Sequence, residues 1–395
     1  MSNNISIIKK EECCGCSACV ACCNVNAIQM IPDEKGFLFP YVNDACISCG
    51  ACVKVCNSKV FYNNCISGFA VKNKNKQVLK KSSSGGISHA LCSEIIRNNG
   101  VVYGVAYDDD YKVITKRAET ILECEAFFGS KYVQTDPKDS FNSVFADLKA
   151  GRSVLFFGTS CHVAGLYSFL RSRKCQLDKL YTVDLICHGV PSPKLFEEYI
   201  TFLKKDRKGF KDFSFRTKEY PWGYGSKNFG CTIYWNNGKK EVDTAKSKIY
   251  LKLFFSNNCL RDYCHSCPFA GINKPADLTI ADYWGCDKEH PEFFDNNGVS
   301  AVLVQTEKGQ KLLDSLRGID ALESTIEKIK NKQGNLNSAS LKNSESEKFW
   351  EYYRNNGFIA LAKKYGDYYW KGKLKSTRLF NTFDRIRTGI PHRFK

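Results

Sequence analysis

The sequence has no apolar run long enough to cross a membrane, and acidic residues are comparatively scarce in it. No segment approaches 18 consecutive apolar residues, so a transmembrane helix is not expected. The residues before Cys13 contain no apolar stretch of the kind that a signal peptide needs. The 41 acidic residues fall short of the 58 lysines and arginines, which gives a formal net charge of +17. We therefore expect a cytoplasmic chain, whose 21 cysteines would stay reduced rather than form a disulfide framework.

Cysteine is abundant, and eleven of the 21 cysteines lie before residue 66. The runs Cys13–Cys23 and Cys46–Cys56 each contain C-x2-C-x2-C-x3-C, the spacing that holds 4Fe-4S clusters in two-cluster ferredoxins. In such runs one tight loop supplies three thiolates, and the fourth cysteine ligates the other cluster. Structural zinc, the alternative, uses C-x2-C pairs without a trailing fourth cysteine. The spacing therefore predicts an electron carrier with two crossed ligand sets: Cys13, Cys16, Cys19 and Cys56 for one cluster, and Cys46, Cys49, Cys52 and Cys23 for the other.

The chain divides into three parts by pattern. Residues 1–66 predict an α+β ferredoxin-like module, and residues 67–330 predict an α/β domain with a mixed or parallel sheet. Residues 331–395 predict a linker followed by a basic tail, whose segment 342–395 has 13 basic and 5 acidic residues with aromatics between them. Such a tail could contact an acidic protein or a membrane surface, whereas helices that bury the aromatics in a core are the plainer alternative. A nucleic-acid partner is not expected.

Strand and helix patterns alternate through the central domain. Short apolar runs predict strands, longer amphipathic segments predict helices, and Asn236-Asn237-Gly238 predicts the turn of a hairpin. The predicted strands are 69–71, 101–105, 153–157, 181–186, 278–281 and 299–305, the hairpin strands are 231–235 and 240–242, and the helices are 87–98, 141–149, 162–171 and 193–205.

Three cysteine-bearing loops follow predicted strands in this domain. Two of them begin at Gly158 and Cys187, just past strand ends, which is where ligands collect in α/β sheets. The third, residues 261–270, contains a C-x2-C pair. These loops predict a third 4Fe-4S cluster, although zinc or unshared buried cysteines would fit the same residues. The candidate ligands are Cys161, Cys187, Cys264 and Cys267, with His162 and His188 placed to tune the site.

A second kind of loop predicts an anion site. Lys81–Gly86 opens the helix at Ile87, and the free N–H groups of a helix start attract phosphate. Gly129–Tyr132 adds a cation, a hydroxyl and an aromatic ring. Ordinary helix capping accounts for a Ser-Gly run equally well on its own. The sharper interpretation is a dinucleotide, bound by Lys81, Ser82, Ser83, Ser84, Gly85, Gly86, Gly129, Ser130, Lys131 and Tyr132, with Asp282 and Trp284 as weaker candidates at a flavin ring.

Taken together, these motifs resemble the beta subunit of coenzyme F-420 hydrogenase/dehydrogenase, in the longer form with a fused two-cluster ferredoxin. The resemblance implies an FAD-containing oxidoreductase that passes electrons between a deazaflavin or other two-electron partner and one-electron carriers. It also implies a partner such as ferredoxin or another oxidoreductase subunit. The resemblance spans roughly residues 10–320 and is carried by Ser82–Gly86, Gly129–Gln134, Val154–Leu166, Asp184–Pro193, Cys264–Ala270 and Asp277–Trp284.

The sequence departs from the family pattern at a few positions. Ser160 and His162 stand where the family usually has Pro and Gln, and Asn24 and Asn57 replace the prolines after the two cysteine runs. Cys14 and Cys22 are surplus thiols that could serve as alternative ligands. We expect an iron–sulfur flavoprotein. The alternative is a flavin-free subunit that transfers electrons between another enzyme and ferredoxin. A third possibility is a binding module in which the clusters are structural.

Overall fold

The computed structural model describes residues 3–56, 61–222 and 230–368. The positions Asn57, Tyr369 and Trp370 lie outside these ranges. No helix in this part of the chain is long and apolar enough to span a bilayer. The strands are β1 (Ile28–Pro32), β2 (Leu38–Val42), β3 (Ser67–Asn73), β4 (Val101–Tyr107), β5 (Val113–Ala118), β6 (Val154–Phe157), β7 (Leu180–Leu185), β8 (Phe210–Ser214), β9 (Thr232–Trp235), β10 (Lys240–Val242), β11 (Leu278–Asp282), β12 (Ser300–Val304) and β13 (Ile319–Ser324). The α-helices are α1 (Ala18–Ala21), α2 (Ala51–Val55), α3 (Lys76–Lys81), α4 (Ile87–Arg97), α5 (Ile121–Cys124), α6 (Ser140–Lys149), α7 (Ser160–Ser172), α8 (Pro193–Lys204), α9 (Ala245–Phe255), α10 (Cys286–Glu289), α11 (Glu307–Ser315), α12 (Ile326–Lys330) and α13 (Ser346–Tyr365).

An eight-stranded mixed sheet organises the chain, in the order β13-β3-β12-β11-β7-β6-β4-β5. The four strands β4, β6, β7 and β11 are parallel, and the flanking strands pair antiparallel. The central strands are largely apolar because helices cover both faces of a parallel sheet, although β7 and β11 also contain the buried Thr182, Asp184 and Thr279. This confirms the prediction of an α/β domain with a mixed or parallel sheet. The carboxyl ends of the parallel strands lie at one edge, where the cysteine loops begin.

The elements predicted from periodicity are present, with ends within about two residues of the predicted ones. Helix α8 begins with Pro193 in its first turn, and the Ser192 hydroxyl accepts a hydrogen bond from the Leu195 N–H at 3.2 Å. Helix α4 ends before Asn99, which has a φ of 56°. The predicted hairpin forms β9 and β10, and β8 extends it into a three-stranded antiparallel sheet.

One local prediction is wrong. The loop 261–270 follows helix α9 rather than a strand, because Thr244 caps that helix and its apolar residues, such as Leu253, are buried in the core. The strand predicted at 69–71 is longer at both ends and forms β3, and Asn75 then caps α3 by accepting from the Gln77 N–H at 2.9 Å.

The N-terminal module, residues 3–56, consists of the antiparallel hairpin β1–β2 and the short helices α1 and α2. It shares a hydrophobic core with α6 and α7 of the α/β domain. Gly165 on α7 allows the closest approach, since a Cβ at this position would lie 2.7 Å from the Cys16 Sγ. The cysteine run is therefore packed directly on α7. The ferredoxin-like character of this module stays a prediction.

Part of the segment predicted as a basic tail lies in a core. Helix α13 buries Phe349, Trp350 and Tyr353 in the same cluster as residues of α8 and α9. The helix is interrupted at Gly357, whose φ is 72°. The aromatic residues of this part of the tail therefore pack internally, which is the plainer of the two alternatives.

Candidate functional site

The two N-terminal cysteine runs have the same local backbone. Gly15 and Ser17 in the first run, and Ser48 and Gly50 in the second, all have positive φ between 53° and 77°. Each run then continues into a short helix, α1 or α2. Alternating right- and left-handed residues turn successive N–H groups toward one point, an arrangement found around anions and iron–sulfur clusters. Both loops therefore have the backbone that a cluster requires.

The thiols of the first predicted set lie near one another. Burial raises the pKa of the Cys19 thiol well above its usual value, and the neighbouring Cys13 and Cys56 raise it further. Cys16 also lies within electrostatic range of Cys19. Cys56, which belongs to the second run, thus stands beside the first run, as the crossed ligand pattern requires.

Cys22 lies beside thiols of the second predicted ligand set, which includes its neighbour Cys23. Burial raises the pKa of Cys22 to about 12, and Cys52, Cys23 and Cys49 are among its electrostatic neighbours. The sequence analysis did not anticipate a contribution from the first residues of the chain: the Asn4 amide donates to the Cys46 Sγ at 3.6 Å. Cys49 is exposed, so this set lies at the molecular surface.

The four cysteines predicted for a third site line one cavity, which we call the cysteine cavity. Cys161 lies in the first turn of α7, Cys187 follows β7, and the Cys264–Cys267 pair belongs to the loop after α9. Burial raises the pKa of Cys187 to about 11, with Cys267 as the next contributor. Burial also raises the pKa of Cys264, and Cys187 adds to that rise. The thiols that the sequence predicted as partners are therefore neighbours.

A fifth thiol reaches the cysteine cavity from the N-terminal module. Cys14 lines the cavity and hydrogen-bonds to both Cys16 and Cys161, which lowers its thiol pKa well below the usual value. The residue that looked surplus in the sequence thus stands between the first cysteine run and the α/β domain. Only the packing of the module on α7 produces this contact, and no spacing rule could have indicated it.

The cysteine cavity also has buried cations beside it. Lys274 lines the cavity with 2% of its surface exposed, and Arg261, at 1%, lies beside Cys264. A 4Fe-4S cluster with four thiolates is anionic, so adjacent buried cations suit it. Among the described residues, no three histidine, cysteine or acidic side chains converge tightly enough to hold a single metal ion. Four neighbouring thiols around one cavity are the donor set that a 4Fe-4S cluster takes, so the residues present fit such a cluster.

The two loops predicted to bind phosphate, Lys81–Gly86 and Gly129–Tyr132, contact each other, and we call them the phosphate loops. The Ser130 N–H and the Ser130 hydroxyl both lie 3.0 Å from the Ser83 Oγ. Gly86 has a φ of 79° and immediately precedes α4. Gly85 has a different reason to be glycine, because a Cβ there would lie 2.3 Å from the Val71 carbonyl oxygen on β3. Its small size thus serves packing against the sheet.

The predicted lysines are placed differently from what a phosphate contact would need. The Lys131 ammonium is turned to the carbonyls of Phe128 and Gly129, at 3.1 and 3.2 Å, and burial lowers its pKa to about 7. Lys81 lies at the surface and pairs with Glu125 at 3.7 Å. Ser82 donates its hydroxyl to the Val78 carbonyl and so closes α3.

Two cations that the sequence analysis missed stand beside these loops. Arg216 forms a buried ion pair with Asp282 at 2.8 Å, reaches the Tyr132 hydroxyl at 3.3 Å, and lies over the Trp284 ring. Lys218 donates to the Ser84 carbonyl at 3.3 Å, and burial lowers its pKa to about 8. Arg216 therefore joins Asp282 and Trp284 to the two loops. The signal in the sequence that could have identified them is a pair of cations, Arg216 and Lys218, two residues apart after the strand β8.

A short segment connects the phosphate loops to the cysteine cavity. Ser130 contacts the Ser83 hydroxyl, and Gln134, four residues later, lines the cavity. Gln134 also accepts a hydrogen bond from the Leu38 N–H of the N-terminal module at 3.2 Å. Four extended residues span at most about 14 Å. The two sites are therefore close neighbours at one edge of the sheet.

Comparison with known proteins finds a family that matches the central part of the chain. Residues 151–332 match the family that comprises the C-terminal part of the beta subunit of coenzyme F420 hydrogenase/dehydrogenase. This segment includes Cys161, Cys187, Cys264 and Cys267, together with Arg216 and Asp282. Over this segment the match confirms the resemblance seen in the sequence, which is to a family of electron-transfer oxidoreductase subunits.

The structural comparison finds a similar chain in a xenon derivative of the F420-reducing NiFe hydrogenase complex from Methanosarcina barkeri. The two chains share 16% sequence identity with a TM-score of 0.45, over 71% of this chain and 97% of that one. No curated protein matches the chain significantly. The N-terminal module lies outside the segment matched by the family, so its two clusters stay predictions.

Proposed function

We propose that this chain is an iron–sulfur flavoprotein oxidoreductase that passes electrons between a two-electron donor or acceptor and one-electron carriers. The observation that carries the proposal is the segment Gly129–Gln134, which joins the phosphate loops to the cysteine cavity. Family membership of residues 151–332 supports the oxidoreductase class. The flavin and the clusters are the finer part of the proposal.

FAD would bind where the two phosphate loops meet. The N–H groups at the start of α4, together with Lys218, offer positive charge to a diphosphate. Arg216 is held by Asp282 and Tyr132, and it lies over the Trp284 ring, so it presents an ordered cation beside the site. A bound flavin supplies the junction between hydride and single-electron chemistry.

Three 4Fe-4S clusters would continue from that site to the surface. The cysteine cavity would hold one cluster through Cys161, Cys187, Cys264 and Cys267. The first cysteine run follows through the Cys14–Cys161 contact, and the second set ends at the exposed Cys49. A one-electron carrier such as ferredoxin, or a partner subunit, would meet the chain at that exposed end.

Cofactor content after anaerobic purification of the full chain tests the proposal. We expect about twelve irons, a similar amount of sulfide, and about one FAD per chain. The double variant Cys264→Ser/Cys267→Ser should lose about four irons. The control Cys175→Ser removes a half-buried thiol that lies outside both cysteine runs and the cavity, and it should keep the full complement.

Each alternative gives a different result in the same experiment. Twelve irons without flavin would replace the proposal by a flavin-free electron-transfer subunit. An unchanged iron content in the double variant would exclude a cluster bound in the cysteine cavity. Stoichiometric zinc in the wild type would overturn the proposed electron-transfer chain.

A further inference from the structure

Arg261 is a cation buried where the N-terminal module meets the cysteine cavity. It is 1% exposed, and its Nε donates to the Cys13 carbonyl oxygen at 2.7 Å. Its guanidinium carbon lies 4.0 Å from the centre of the Phe39 ring. Gly15 makes room for it, since a Cβ at that position would lie 3.2 Å from Arg261 Nη1. The side chain thus extends from the start of the loop that bears Cys264 and packs on the first cysteine run.

The charge of Arg261 has no carboxylate partner among the described residues. Both terminal nitrogens are buried without a well-formed hydrogen bond, and the adjacent Asp262 pairs instead with Lys342 at 3.3 Å. An uncompensated buried cation strongly destabilises a fold. The groups near the guanidinium are thiols: its charge opposes the rise that burial causes in the pKa values of Cys13 and Cys264.

We propose that Arg261 is the shared counter-cation of two clusters, the first in the N-terminal module and the one in the cysteine cavity, and that it raises the reduction potential of both. This inference rests on the proposed function. Reduction adds one negative charge to a cubane, and a fixed cation in a poorly polarisable interior favours the more negative state. Arg261 therefore acts through its charge on the reduction potentials of both clusters, one on each side of the boundary between the N-terminal module and the α/β domain, without ligating either.

The cluster of the second set provides an internal reference. Its thiols lie around Cys22 and Cys52, and the main causes of their raised pKa values are burial and, for Cys22, the neighbouring Cys52 and Cys23. Arg173 provides a control on the α/β domain. It donates to Asn24 at 2.8 Å and to the Ala21 carbonyl, it is partly exposed, and the thiol on which its charge acts is Cys22, beside the second set.

The test is a redox titration of the anaerobically purified full chain, followed by electron paramagnetic resonance. Arg261→Gln should lower the equilibrium constant for reduction of the two adjacent clusters at least about tenfold, which is about 59 mV in midpoint potential. The midpoint of the second-set cluster should stay where it is. Arg173→Gln should leave the midpoints of the two clusters beside Arg261 within about twofold, or about 18 mV.

Unchanged midpoints in Arg261→Gln, or an equal shift of every cluster, would overturn the proposal. If Arg261→Gln loses iron, the variant Arg261→Lys is tested as well. Retained iron with near-wild-type midpoints in Arg261→Lys supports the proposed role of the positive charge, and loss of iron in both variants refutes that role. The iron content of the wild type judges the proposed function separately. A wild type without a cluster in the cavity would still report the effect of Arg261 on the first cluster.

Discussion

Replacing Lys218 by alanine should weaken FAD binding while leaving the clusters in place. The ammonium lies 3.3 Å from the Ser84 carbonyl at the mouth of the serine–glycine loop Ser82–Gly86. It also donates to the Asn297 carbonyl, and the Asp282 carboxylate acts on it electrostatically, so it lies on the side of the loops that carries the buried ion pair. A hydrogen bond to a charged group is worth about 1.5–3 kcal/mol. The dissociation constant should therefore rise about 10- to 150-fold.

The same residue predicts a pH dependence of binding. Burial lowers the pKa of Lys218 to about 8, so the free protein carries this charge below pH 8 and loses it above. A bound diphosphate favours the charged form, so binding above pH 8 must take up a proton. The wild-type dissociation constant should be level well below pH 8 and rise about fivefold between pH 8 and pH 9. In Lys218→Ala this dependence should disappear.

Equilibrium titration of flavin-depleted protein, followed by flavin fluorescence between pH 6 and pH 9.5, makes the measurement. Lys211→Ala is the matched control, since it removes an exposed lysine on β8. Wild-type affinity and an unchanged pH profile in Lys218→Ala would refute the assignment of this lysine to the diphosphate. A loss of affinity in Lys211→Ala as well would point to a general electrostatic effect.

Three further predictions concern the clusters and the fold. Cys56→Ser should cost about four irons and remove the cluster of the first run rather than that of its own run; loss of the second-run cluster alone would refute the crossed pattern. Gly165→Ala should lower the free energy of unfolding by about 1–3 kcal/mol in denaturant titrations, because the new Cβ lies 2.7 Å from the Cys16 Sγ, and unchanged stability would contradict that contact. Asp282→Ala should cost about 3–5 kcal/mol because Arg216 is left charged and buried, whereas Asp320→Ala, which breaks an exposed pair, should cost about 0–1 kcal/mol; equal losses would count against the buried pair.

Periodicity predicted the centre of the sheet well because its strands are bounded by sharp breaks. The strand ending at Phe157 and the helix beginning at Pro193 both have clear ends in the sequence. The pattern failed at the loop 261–270, because a helix rich in lysines and aromatics, α9, precedes it and has only a weak amphipathic signal. It offered a core for the tail aromatics as the plainer alternative, but it did not indicate that α8 and α9 supply the rest of that core.

At the site, spacing identified the cysteines but not the cations that accompany them. Cys161 and Cys187 lie at strand ends, which α/β topology makes predictable, whereas the Cys264–Cys267 pair was found by its C-x2-C spacing. Arg216, Lys218 and Arg261 reach their sites only through packing between distant segments, and a lysine or arginine without a motif cannot be told from a surface charge in the sequence. Cys14 shows the same limit, because its role at the module boundary depends on how the module docks on α7.

The number of electrons that the chain accepts tests the central claim most directly. Anaerobic titration of the full chain with dithionite, followed by absorbance, should consume about five electrons per chain, two for the flavin and one for each of three clusters. Cys264→Ser/Cys267→Ser should consume about four. An end point of about two electrons in the wild type, with no flavin bleaching and no change in the double variant, would contradict the proposed path from a flavin through the cysteine cavity to the N-terminal module.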